Sequence, residues 1–223
     1  MTPIAEPAGR SLRRDAERNR QRVLRAAAEV FRERGLDATL DDVAHRAGVG
    51  VGTVYRRFSD KETLVAELFQ ERIDELVSAA EKACEADDPW SGFLSYLEFV
   101  ATTMAGDLGL RQMLLFATYG RDQVACLREQ VRPVVERLVI RAQEAGSLRA
   151  DFSPSDVPMI TAMLASAAEY AAPVQPGIWR RYLALILDGL RPEGATPLPG
   201  PALTPVEMEL IVRAHSSRET TKR

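Results

Sequence analysis

Thr53, Tyr55, Arg56 and Arg57 fall within five consecutive residues, and their side chains suit one kind of surface. A guanidinium pairs with guanine edges or with phosphate, threonine and tyrosine hydroxyls reach phosphate oxygens, and an aliphatic neighbour such as Val51 can meet a thymine methyl. Thr39 and Lys61 extend the set. Each stands where the pattern predicts the start of a helix, and free backbone N–H groups there favour an anion. No competing chemistry is visible. His45 and His215 are the only histidines, and neither has a second His or an acid at metal-ligand spacing. No glycine loop follows a strand, and Ser, Asp and His form no recognisable nucleophile signature. The sequence therefore assigns no catalytic residue, no metal and no cofactor, and the chain reads as a non-enzyme.

The elements that must hold these residues are short helices. A first helix is expected from about Asn19 to Arg34, with Val23, Ala27, Val30 and Phe31 at helical spacing and Gly35 ending it. In "TLDDVAHRAG", Thr39 can cap and Asp42 sits three residues on. Leu40, Val43, Ala44 and Ala47 then make one apolar face, and Gly48 stops the helix in a left-handed backbone. A third helix begins near Gly50, with Val54 and Phe58 inward and Val49 plugged between the two. Ser59 is expected to cap the fourth, with Glu62 completing a capping box. A helix, a turn and a second short helix can lay one helix across a phosphate backbone and the next in the major groove. The same pattern also fits small capped helices of an ordinary all-α core.

The rest of the chain repeats the helical period. Leu64, Leu68, Ile73, Leu76 and Val77 sustain a long helix to about Cys84. Further helices are expected at Trp90–Met104, Leu110–Thr118, Asp122–Ala145 and Ile178–Leu190. Pro133 either starts a new helix or kinks a long one. Ser153 is expected to cap another, with Pro154 in its first position, running to about Ala172. "RPEGATPLPGP" (191–201) is a linker by composition, and Pro205–Ala214 makes a last short helix with Thr204 as cap and Glu207 at the matching position. No two-residue alternation appears. The expected fold is all-α with about ten helices: a flexible basic arm (1–18), a three-helix helix-turn-helix domain (19–64), a larger helical domain (65–190), and a linker with a short helix (191–223).

Composition supports a cytoplasmic protein. Hydrophobic residues are 46% of 223 and charged ones 27%, enough for a sizeable core with no apolar window as long as a membrane span. The N-terminal stretch lacks the apolar segment of a secretory signal. Cys84 and Cys126 read as buried thiols without metal-ligand neighbours. The net charge of −3 hides an asymmetry, since residues 1–60 carry 12 Arg and no Lys against 9 acids. A mildly positive head on an acidic body permits one positive docking face rather than general coating of a polyanion. Arg10, Arg13, Arg14, Arg18, Arg20 and Arg22 lead into the first helix. They either touch phosphates or a minor groove, or form a solvated tail; Arg22 is the one expected to be ordered.

The segment Val23–Leu68 resembles the N-terminal domain of the TetR family of one-component transcriptional regulators. "AAAEVFRERGLDATLDDVAHRAGV" followed by "GTVYRRFSDKETL" carries the resemblance, which implies a homodimer on a palindromic double-stranded DNA operator, usually as a repressor. It implies phosphate contacts at Thr39 and Lys61, recognition-helix contacts at Thr53, Tyr55, Arg56 and Arg57, and close approach at Gly52. Two positions depart from the family pattern. Gly50 replaces a side-chain cap at a cost of a few tenths of a kcal/mol, and Val51 replaces a polar or basic residue, so no operator sequence can be borrowed.

The resemblance also implies a C-terminal domain that pairs two subunits and encloses a small-molecule effector. Trp90, Phe93, Tyr96, Phe99, Val100, Met104, Met113, Phe116 and Tyr119 are of the types that line an apolar cavity, or else fill a core. An apolar or aromatic effector is expected; a charged one would need partners such as Glu98, Arg121 or Glu169. The expected dimer helices carry Ile160, Met163, Leu164, Ala167 and Ala168, then Tyr182, Leu185 and Ile186, unless both are internal core. Activation instead of repression, and a helical interaction module that does not bind DNA, are the alternatives.

Overall fold

Helices with an apolar stripe must bury it against one another. The computed structural model, which describes residues 8–116 and 121–220, does so with ten α-helices, one 3-10 turn and no strand among the described residues. The order is α1 Ala8–Arg34, a 3-10 turn at Gly35–Asp37, α2 Leu40–Ala47, α3 Val51–Arg57, α4 Lys61–Cys84, α5 Pro89–Gly106, α6 Leu108–Phe116, α7 Arg121–Glu144, α8 Asp156–Ala171, α9 Trp179–Leu190 and α10 Pro205–Thr220.

The first three helices close over Val23, Ala27, Val30, Phe31, Leu40, Val43, Ala44, Val54 and Phe58, all buried. Their α1 and α2 faces pack directly, and α3 packs on α2. The long α4 starts beneath this head and continues into the body, where it packs on α5 and α7. In the body α5 is central, meeting α4, α7 and α8, while α9 lies on α8. The α6 helix lies against both α1 and the 3-10 turn, so the body grips the head at a second place.

Several boundaries differ from the sequence expectation. The backbone of α1 is helical from Ala8, eleven residues upstream of Asn19, within the stretch expected to be a flexible arm. Once a helix is nucleated, good formers such as Ala, Arg and Glu extend it cheaply. Asp60, not Ser59, caps α4. Its carboxylate accepts from the Thr63 backbone at 2.7 Å and from the Thr63 hydroxyl at 2.8 Å, and the Ser59 hydroxyl donates to it at 3.0 Å. The α8 helix begins at Asp156, two residues beyond the expected Pro154 start. Ser153 and Pro154 form the preceding turn, where the Asp156 carboxylate accepts from the Ser153 N–H at 2.8 Å. Pro133 lies inside a single α7. The cap of α10 is as expected, with Thr204 and Glu207 bonded reciprocally, but the helix extends to Thr220.

Candidate nucleic-acid interface

The interface is built on the α2 cap. Thr39 is its N-cap: the hydroxyl accepts from Asp42 N–H at 3.2 Å, and the Asp42 carboxylate accepts from Thr39 N–H at 2.8 Å and from the hydroxyl at 2.7 Å. The Arg34 guanidinium adds a bond to the other Asp42 oxygen at 2.7 Å. These bonds hold the Asp42 carboxyl down at about 2, the Thr39 backbone N–H contributing most, then its hydroxyl, then Arg34. A lowered carboxylate pKa stabilises the fold above its unfolded value of about 4, and that contribution is lost as pH falls toward the folded value. The melting temperature of Asp42→Asn should therefore lie below wild type at neutral pH and converge on it as pH falls from about 4 towards 2. Thermal melts across that range check this; a constant gap would mean that ionisation of Asp42 contributes nothing.

Gly48 ends α2 with φ 62, in the left-handed region that favours glycine. Arg22 of α1 closes this end. Its guanidinium donates to the Ala47 carbonyl at 2.6 Å and to the Gly48 carbonyl at 3.0 Å. The expected phosphate ligand is thus engaged in holding the turn. Arg46 ties α2 back to α1 through Glu29 at 3.1 Å and Glu33 at 2.7 Å.

The α3 helix starts at Gly50 without a side-chain cap, its Thr53 N–H donating to the Gly50 carbonyl at 2.8 Å. Val54 and Phe58 anchor it at 0% and 1% exposure, and Val49 is half-buried against the core. The other face points out. Val51 is 40% and Tyr55 51% exposed, and Arg56 and Arg57 are exposed as well. A Cβ added at Gly52 would meet nothing within 4 Å, so that face is open to close approach. Thr53, Arg56 and Arg57 line a cleft of about 210 Å³ with Asn19, Arg20 and Val23 of α1. Arg20, read in the sequence only as part of the arm, is ordered by Glu17 at 3.0 Å and by Glu67 of α4. Its i,i+3 acid was the available signal.

Lys61 is placed differently from the expectation. It is half-buried at the first position of α4, donates to the Leu36 carbonyl, and lies 5.8 Å from the Phe31 ring centroid. A long side chain can be directed at its own fold as readily as outward, and here a backbone acceptor is in reach.

The body residues divide. Trp90, Phe93, Tyr96, Val100, Met104 and Met113 are all buried, at 8% exposure or less. Phe93 meets Phe152 edge-on at 5.6 Å, and the Arg191 guanidinium stacks over the Trp90 ring at 3.8 Å. Phe99 is at the surface instead. Tyr119 and the side chain of Phe116 lie outside the described residues, as do those of Arg121, Cys126 and His215. A cleft of about 470 Å³ between α4 and α7 is lined by Glu81, Cys84, Glu85, Arg137 and Arg141, none of them expected at a pocket. Cys84 is half-buried, and burial pushes its thiol up from the usual range.

Of the expected dimer residues, Ile160, Leu164 and Ala168 are turned into the protomer core, where α8 packs on α5. Met163, Tyr182 and Leu185 are exposed, and Ala167 and Ile186 are half-buried. Sequence reasoning missed their exposed neighbours Met159, Tyr170 and Val174. Both faces of α8 are apolar, so periodicity alone could not separate them.

Residues 23–68 match the family model described as bacterial regulatory proteins, tetR family. Residues 88–192 match the one described as transcriptional regulator SbtR-like, C-terminal domain. The crystal structure of a TetR transcription regulatory protein from Mycobacterium vanbaalenii is 30% identical, covering 81% of this chain and 99% of that one, with a TM-score of 0.57. A TetR transcriptional regulator from Streptomyces coelicolor is 29% identical over 78% of this chain and 98% of its own, with a TM-score of 0.56. An HTH-type transcriptional regulator of Staphylococcus aureus is 38% identical over 64 residues, which are 28% of this chain and 35% of that protein's length. Among the described residues no helix is long and apolar enough to cross a membrane.

Proposed function

As this chain belongs to the TetR family of transcriptional regulators, we propose that it is a repressor that binds a palindromic operator as a homodimer and is released by a small apolar or aromatic effector. The outward face of α3 carries the reading. Tyr55, Arg56 and Arg57 project from a helix whose inner face is anchored by Val54 and Phe58, so the reading residues stand clear of the core. Thr53 and Arg20 flank them at the cleft between α3 and α1. Arg22 and Lys61 serve by holding the turn after α2 and the turn after α1 in place.

Exposed Met159, Met163, Tyr170, Val174, Tyr182 and Leu185 on and between α8 and α9 favour pairing of two copies through these helices. Two-fold pairing matches the symmetry of an inverted repeat. The apolar body favours an effector of like character, and its release of DNA is a population shift coupled reciprocally to operator affinity. Selection of bound duplexes from fragmented genomic DNA, at a stated salt concentration, tests the whole reading. Enrichment of an inverted repeat upstream of genes, released by an apolar compound, is expected. Absence of any enriched sequence would leave a protein that binds DNA only with its ligand, or a helical interaction module, and would overturn the repressor reading.

A further inference from the structure

The head is held to the body by α4, which belongs to both, and by α6. Gly109 and Gln112 of α6 stand three residues apart and share the face turned to the head. Gly109 lies against the end of α1, where an added Cβ would come within 2.9 Å of the Phe31 carbonyl oxygen. Gln112 is half-buried, and its side-chain oxygen accepts from the Leu36 N–H at 2.6 Å. It also fills the space that a Cβ on Gly35 would need, and Gly35 has φ 69. The Leu36 carbonyl meanwhile accepts from Lys61 of α4. Both backbone groups of Leu36 are therefore tied, one to each of the two helices that join head to body.

The neighbouring residue points the other way. Arg111 is buried at 7% exposure, donates to the Ala165 carbonyl at 3.4 Å and pairs with Glu169 at 2.8 Å, both on α8. Consecutive residues of α6 thus fasten it to the outward-facing helix of the body on one side and to the head on the other. In a symmetric pair, the angle of each head on its body decides how far apart the two α3 helices lie. Half-sites are separated by whole turns of the duplex, so a small rotation of the heads changes which spacing fits.

We propose that Gln112 is a positioning residue that fixes the head angle and thereby selects the half-site spacing of the operator. This rests on the dimeric operator reading above. The hydrogen bond is made to a backbone N–H in a single-turn segment that has no helical partner for it, so its loss frees the turn. Gly109 is the second support, since a methyl there would wedge α6 from α1.

The test uses the full chain with Gln112→Leu, Gln112→Glu and Gly109→Ala. The duplexes carry the selected inverted repeat at its own spacing, at spacings one base pair shorter and longer, and as a single half-site. Gln112→Leu should lose about tenfold in affinity at the native spacing and lose discrimination between spacings, with half-site binding unchanged. Gln112→Glu keeps the acceptor and should restore discrimination, and Gly109→Ala should move the preferred spacing. Amide exchange at Leu36 should rise about tenfold in Gln112→Leu. Unchanged discrimination in Gln112→Leu overturns the proposal, and so does a parallel loss on half-site and palindrome, which would mean damage within the head. If the wild type itself shows no preferred spacing, the operator reading fails. Exchange at Leu36 then decides separately on the tie, and an unchanged rate removes it.

Discussion

Tyr55→Ala should lower operator affinity by roughly two orders of magnitude while leaving the melting temperature close to wild type. Tyr55 is 51% exposed on the outer face of α3, and the residues that anchor this helix are its neighbours Val54 and Phe58. Removal of the ring therefore creates no cavity. A contact to a base or phosphate is worth about 1–3 kcal/mol, and the proposed symmetric dimer would make it twice, for a total of about 2–6 kcal/mol. That range corresponds to roughly 30-fold to 10⁴-fold in the dissociation constant. Titrations at several salt concentrations add a second readout. Tyr55 is uncharged, so Tyr55→Ala should keep the wild-type salt slope, whereas Arg57→Ala should flatten it by about one ion for each phosphate left without its guanidinium. An unchanged affinity in Tyr55→Ala would mean that DNA is read by another face of the head.

Leu185→Arg should give a folded monomer that has lost nearly all palindrome binding. Leu185 is 58% exposed in the protomer and sits on α9 three residues from Tyr182, which is 46% exposed, while Met163 on the neighbouring α8 is 57% exposed. An arginine there is solvated in the single chain, so folding is unaffected. In a pair of α8–α9 faces the same guanidinium would be buried beside its symmetry mate without a partner, at a cost of several kcal/mol. Sedimentation should show half the wild-type mass. Palindrome affinity should fall by about 10²–10⁴, because two heads joined in one particle gain that factor from effective concentration. Single half-site binding should be retained. A variant that stays dimeric would place the pairing surface elsewhere.

The parts of the head set by short-range chemistry were readable from residues alone. Thr39 with Asp42 at the start of α2, Gly48 at its end and Val54 with Phe58 inside α3 each depend on neighbours within four positions, and the structure has them as expected. Adjacent competitors were harder. Ser59 and Asp60 both can cap, and the carboxylate, with two oxygens for three donors, takes the position. Long basic side chains were the least readable. Whether Arg22 and Lys61 reach outward or back depends on the Ala47, Gly48 and Leu36 carbonyls, which only the tertiary fold brings near. In the body, Phe93 and Met113 are equally suitable for a cavity wall and for a filled core, and composition does not distinguish the two. Arg20 and Gln112 gave no long-range signal, since each acts across a gap of more than forty residues.

The division of labour within α3 bears on how such a protein changes over generations. Its frame rests on Val54, Phe58 and the Arg22 brace at Gly48, while Val51, Tyr55, Arg56 and Arg57 face solvent. Exposed positions tolerate substitution within about half a kcal/mol of stability. If these residues read DNA as proposed, a duplicated copy could exchange them one at a time and acquire a new operator without passing through an unfolded intermediate. The body, with the effector response proposed for it, would be inherited unchanged and joined to other genes.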